Sequence, residues 1–170
     1  MSVIGGNAIN HQAAYAGLCL TFEAHNFVGR LNASGVTIPF GKGVVTDTSV
    51  TDENAIRLPV SGDAAAAFNG VTLYELNRAY ADGATFGAVD GYDATVVSMG
   101  EIWVYTQETV VKDNPVYLIS ENLVTPSQVG DFNTSGVVGD VTAAILIPNA
   151  KFTSAGAAGD LVKIAFTIGG

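Results

Sequence analysis

A thiol beside an imidazole is the simplest nucleophile a chain can build at neutral pH, and the sequence holds one cysteine, Cys19, with two histidines, His11 and His25. With residues 17–24 read as a strand, Cys19 shares a face with Gly17 and Thr21, and His25 lies just past the strand end. A thiolate activated by histidine is open to that geometry, although no sequence motif accompanies it. Leu18 and Leu20 flank the thiol, which favours the commoner state of a lone cysteine, a small buried hydrophobe. One cysteine also excludes an intramolecular disulfide and a structural zinc site of the paired-cysteine kind.

The carboxylates offer less. Asp90-Gly91-Tyr92-Asp93 and Asp82-Gly83 come nearest to a cluster, but neither has the alternating oxygen donors and closing bidentate Glu of a calcium loop, so both read as solvated turns. Gly41-Lys42-Gly43 lacks the preceding glycine spacing and the following Ser or Thr of a phosphate loop and reads as another turn. Asn32-Ala33-Ser34 and Asn133-Thr134-Ser135 fit the glycosylation triplet, which has no chemical consequence without a secretory signal. Trp103, Tyr105, Tyr74 and Tyr92 can either form a sugar-stacking platform or fill a core. With no acyl-, phosphoryl- or hydride-transfer motif, the expectation is a protein that is not an enzyme, with no catalytic residue, no cofactor and no metal.

The elements that must position these groups follow from composition and pattern. Of 170 residues, 48% are hydrophobic and only 14% are charged, the reverse of a disordered chain. A chain of this length buries about 70% of its extended surface in a single domain. Seven Lys and Arg against sixteen Asp and Glu give a net charge of −9 and no basic stripe, so nucleic acid is not an expected partner. The longest apolar run, residues 13–20, falls short of the roughly 18 to 20 residues that cross a bilayer, and no membrane partner is expected. No Lys or Arg precedes Arg30, so the basic start of a secretory signal is missing and synthesis in the cytoplasm is expected.

Short β-branched and aromatic runs, cut by Gly, Asn, Asp and Pro, predict an all-β fold of the sandwich or barrel kind. Strands are predicted over 17–24, 43–46, 69–76, 95–105, 115–119, 141–147 and 161–168. In the last of these Val162, Ile164, Phe166 and Ile168 fall on one face, with Lys163 and Thr167 on the other. In Glu101-Ile102-Trp103-Val104-Tyr105 both faces carry apolar groups, which predicts a central strand or one whose second face meets another subunit. Residues 64–67 can begin a helical turn after Asp63 but are too few for a stable helix. Residues 1–12, with Gly5-Gly6-Asn7 and no period, read as a flexible N-terminal arm before one domain over 13–170. Few charges and many apolar residues predict either a large core or apolar surface that meets other protein, and open β edges offer a further route to assembly.

Three segments carry a resemblance: Ser98-Met99-Gly100-Glu101-Ile102-Trp103-Val104, then Val111-Lys112-Asp113-Asn114-Pro115-Val116-Tyr117, then Ile147-Pro148-Asn149-Ala150-Lys151-Phe152-Thr153-Ser154-Ala155-Gly156 leading to Phe166. A Gly-acidic-Ile-Trp-Val strand, a turn ending in Asp-x-Pro-Val-Tyr and a small-residue turn before a final apolar strand resemble the structural cement proteins, the capsid decoration proteins of tailed bacteriophages. A weaker similarity reaches Tyr15-Ala16-Gly17 and Ile38-Pro39-Phe40-Gly41-Lys42-Gly43-Val44-Val45. The chain departs from the pattern at Asn114, where Gly or Asp is usual, and in the longer segment 124–141.

The resemblance implies a jelly-roll-like or barrel-like module on the outside of an expanded icosahedral shell, where it bridges neighbouring subunits of the major capsid protein. It further implies a virion location on the capsid exterior and homo-oligomers on the shell. The alternative, resting on the aromatics, is a β-sandwich module that binds carbohydrate or a receptor.

Overall fold

The structure, a computed structural model, describes residues 14–19, 24–75, 86–136 and 142–167. Its short apolar segments, separated by tight turns, have too few successive residues for helices and pair as strands instead. They are β1 (Asn26–Asn32), β2 (Ile38–Pro39), β3 (Gly43–Thr46), β4 (Ala55–Arg57), β5 (Phe68–Thr72), β6 (Gly87–Ala88), β7 (Asp93–Tyr105), β8 (Pro115–Asn122), β9 (Phe132–Asn133), β10 (Thr142–Phe152) and β11 (Leu161–Thr167). Residues 64–67 give the single short turn expected there, a 3-10 turn over Ala65–Ala67.

Strands β1, β4, β3, β5 and β7 lie side by side, and β7 pairs back onto β1, closing a five-stranded barrel. Only β1 and β4 run parallel in it; the other contacts are antiparallel. The 13 residues of β7 are too many for a barrel this small. Its first half pairs with β1, from Leu31 opposite Asp93 to Asn26 opposite Met99. Its second half runs on beyond the barrel and pairs with β11, from Thr167 opposite Met99 to Leu161 opposite Tyr105. From β11 the sheet continues through β10 and β8 to β9. Its far edge returns to the end of β7, where Thr106 bridges Phe132 and the Gln107 N–H donates to the Phe132 carbonyl at 3.0 Å.

Gly100 marks the point where β7 changes lobes. Its φ of 130° is one that side chains rarely permit, and a Cβ there would stand 2.3 Å from Cδ2 of His25. Each lobe has its own apolar centre. The barrel closes over Ile38, Val44, Ile56, Ala88, Ala94 and Val96. The sheet lobe packs larger side chains, among them Phe132, Phe152, Phe166, Leu118 and Ile164, and receives Val97, Ile102 and Val104 from β7.

The all-β expectation holds, and the closed part is a barrel; the pairing does not trace the two four-stranded sheets of a jelly roll. The 43–46 strand coincides with β3, and β11 buries Val162, Ile164 and Phe166 as its alternation requires. Ile168 and the arm expected over 1–12 lie outside the described residues. The strand expected over 17–24 is corrected at its start, where Gly17 turns with φ 83° and Cys19 forms an isolated bridge to Ile102; residues 20–23 lie outside the described residues. The prediction missed β1 because Asn26–Asn32 is exposed or half-exposed on both faces until Asn32, so no alternation marks it.

Candidate functional site

The thiol reading does not survive the geometry. Cys19 is half-buried against the sheet-lobe core, and burial pushes its thiol up to about 12, far from a reactive thiolate. His25 has partners of its own: its Nε2 lies 3.0 Å from the Glu101 carbonyl oxygen and its ring stacks on Phe27. His11 lies outside the described residues.

Of the four aromatic side chains, Tyr92 stands apart from the others. Tyr92 precedes β7 and Tyr105 ends it, a separation of up to roughly 40 Å along an extended strand. Trp103 is half-buried beneath Lys163, whose Nζ lies 5.9 Å from the ring centroid. Tyr74 stacks on Tyr15 at 5.2 Å between ring centres. Trp103 and Tyr105, two residues apart, share a face of β7, and Tyr92 lies beyond the other end of that strand.

The turns prove to be framework. Asp90 accepts the Gly35 N–H at 2.8 Å, Asp82-Gly83 lies outside the described residues, and among the described residues no three metal-ligating side chains gather. Both glycosylation triplets have buried asparagines. Asn32 donates to the carbonyls of Val36 and Ala88 and accepts from Ser34, so it ties the β1 end to β6. Gly41-Lys42-Gly43 is a joint between lobes: Gly41, at φ 77°, leaves no space for a Cβ beside Ala16, and a Cβ on Gly43 would meet Leu118.

The segments that carried the resemblance converge on the second half of β7. Glu101 is buried, pairs with Lys163 Nζ at 2.8 Å and accepts the Thr153 hydroxyl. Lys163 sits opposite Trp103 in the β7–β11 register, and its ammonium meets both the Glu101 carboxylate and the indole. Asp113 turns with φ 70° before Pro115, and its N–H donates to Phe152 at 2.8 Å. Gly156 exchanges two backbone hydrogen bonds with Val110, where a Cβ would strike Val162. The weaker pair meets as well: the Gly17 N–H donates to Trp103 at 2.7 Å, and Gly17 accepts from Tyr74 at 2.9 Å, directly against Gly41.

Two charge clusters were not legible in the sequence because their partners come from separate elements. Lys42 and Asp131, both buried, pair at 2.7 Å between the lobes, and Lys42 also donates to the Ser127 carbonyl. Burial pushes the Asp131 carboxyl up, and Lys42 and Gln107 pull it back. Gln107 donates to Asp131, Gln128 to Gln107, and Asn122 to Gln128, a polar chain running out to the β8 loop. On the barrel side Arg57 grips Asp63 through two bonds of 2.7 and 2.8 Å. The Arg57 guanidinium holds Asp63 below the usual carboxylate range, while the hydroxyl and N–H of Ser49 do the same for Asp47.

The described residues form an all-β body of two lobes, with Glu101, Lys42, Asp131, Arg57 and Asp63 tied into its framework. The chain belongs to the phage cement family: the family model described as structural cement protein (E217 gp24/Pam3 gp6) matches residues 6–167. Its role is therefore structural and not enzymatic, and the family reaches well beyond the motifs between Ser98 and Phe166. No curated protein matches the chain. Among solved structures, a chain from "The capsid of Myoviridae Phage XM1" shares the fold with a TM-score of 0.70 at 17% identity, covering 97% of this chain and 98% of that one.

Proposed function

We propose that the protein binds the outer surface of an expanded icosahedral capsid and bridges neighbouring major-capsid subunits, stabilising the shell. The carrying observation is the family match over residues 6–167; the likeness to a chain of a phage capsid supports it. The shape suits a bridge. One strand, β7, runs through both lobes, and each lobe displays apolar side chains: Phe27, Val36 and Tyr92 on the barrel, Val111, Leu123 and Val124 on the sheet lobe. A module held at two points gains a high effective concentration at the second once the first is occupied, so modest contacts give strong retention. Several copies around the shell act together, and the arm over 1–12 contributes to attachment or self-association rather than to folding.

Co-sedimentation with compact and expanded shells, and with an unrelated shell, tests this reading. Saturable binding to expanded shells alone is the expected result, and binding to neither form overturns it. Deleting residues 2–12 should weaken pelleting while leaving the unfolding midpoint in place.

A further inference from the structure

Beyond β8 the chain forms a groove of about 460 Å³ between two loops, lined by Leu58, Pro59, Val60, Leu123, Pro126 and Val129. Leu123 in its lining is 66% exposed and Val124, next to it in the chain, is 72% exposed, among the most exposed large apolar side chains described, and Val60, also in the lining, is 51% exposed. Isolated exposed aliphatics are ordinary on a protein surface; two lining one groove with a third next in the chain are not.

Both walls are rigidly built. The Asn122 side-chain oxygen accepts the N–H groups of Val124 and Thr125 at 3.1 and 2.8 Å, and its amide is anchored on Gln128. Gln128 is in turn held by Gln107, which donates to the buried Asp131 paired with Lys42. In the other loop, Asp63 accepts the Val60 N–H at 2.8 Å while its carboxylate is fixed by Arg57, which also donates to the Leu58 carbonyl. A surface held in place before contact loses less entropy on binding.

Charge selects the occupant. The single charged residue lining the groove is Glu121, and the two cations bonded to the backbone of its loops, Lys42 at the Ser127 carbonyl and Arg57 at the Leu58 carbonyl, are already paired with Asp131 and Asp63. Two copies meeting face to face would bring their Glu121 carboxylates into one contact on chains that each carry −9. An apolar surface bordered by Lys or Arg fits better.

We propose that this groove, with Leu123 and Val124 as its anchor, is a contact by which the protein grips the coat subunit, at an apolar patch rimmed by basic residues. The assignment rests on the shell-binding function above. Its test compares wild-type protein, a Leu123→Ser/Val124→Ser double variant and Glu121→Gln for binding to expanded shells across a salt series, with sedimentation velocity of each protein alone.

The double variant should bind at least tenfold more weakly with an unchanged unfolding midpoint. Glu121→Gln should bind two- to fivefold more weakly at low salt and equally at high salt. Double-variant binding equal to wild type overturns the groove and leaves the shell reading standing. No binding by wild-type protein overturns both. A double variant that falls to a smaller oligomer than wild type assigns the groove to a second copy and also overturns the proposal.

Discussion

The barrel and the sheet lobe share β7 yet are held by different means. Five strands closing through the β1–β7 pairing satisfy one another's backbone groups, so the barrel closes around a small centre of Ile38, Val44, Ile56, Ala88, Ala94 and Val96. The sheet lobe lacks that full closure and relies on side chains: a core with phenylalanines at 132, 152 and 166, and the buried Glu101 carboxylate paired with the half-buried Lys163. Continuous hydrogen bonding can replace core volume, and where it runs out, volume and buried polar clamps must take over. The Lys42–Asp131 pair sits where the two solutions meet.

The sharpest test of this contrast is a matched pair of truncations, followed by urea unfolding. Phe152→Ala in the sheet lobe should cost about 3–5 kcal/mol and Ile56→Ala in the barrel about 2–4 kcal/mol, because both side chains are fully buried. If β7 couples the lobes, both variants lower the midpoint of one shared transition. Two separated transitions would show the lobes to be independent units.

The junction comes next. Lys42→Met leaves Asp131 buried without its cation and should cost about 3 kcal/mol. Replacing both partners, as Lys42→Met with Asp131→Leu, should recover most of it, because an apolar pair leaves no charge unmatched. A double variant as unstable as the single would show that Ser127 and Gln107 matter more than the charge.

Acid should separate the clusters. Asp63 and Asp47 are held below the ordinary carboxylate range, so their contribution is complete above about pH 4 and is lost as pH falls through their lowered values. Asp131 is pushed up by burial, so its contribution has the opposite sign: it is complete below about pH 4 and is lost as pH rises through the raised value. Hydrogen exchange between pH 5 and pH 2.5 should therefore loosen the 57–63 loop before the 119–131 region. Simultaneous loosening would contradict the assignment.

The smallest effect is expected at Cys19. With its thiol pushed up to about 12, a thiol reagent at pH 8 should label the native protein slowly and the urea-unfolded protein fast. Rapid native labelling would mean that the Cys19–Ile102 bridge opens readily.

Much of this molecule was written locally. Alternation in 161–168 predicted which side chains of β11 are buried, and the doubly apolar run at Glu101–Tyr105 predicted a central strand, which β7 is. Glycines predicted turns at 41–43 and 154–160. Strand β1 escaped because its stability comes from pairing with β7 and β4 rather than from a buried face of its own. The candidate surface escaped more completely, since Leu123 and Val124 look like any two aliphatics until their exposure is known.

The sequence by itself determined the all-β class, the burial of β11 and the short motifs that mark the family. These depend on residue type and near-neighbour spacing, and a period of two is visible within one strand. Tertiary structure alone decided the barrel closure, the change of lobe at Gly100, and which residues became partners. Lys42 finds Asp131, and Val60 lines a groove with Leu123, because β7 carries the chain from one lobe into the other. Long-range pairing of this kind is set by how strands close on one another in space, and no local pattern encodes it.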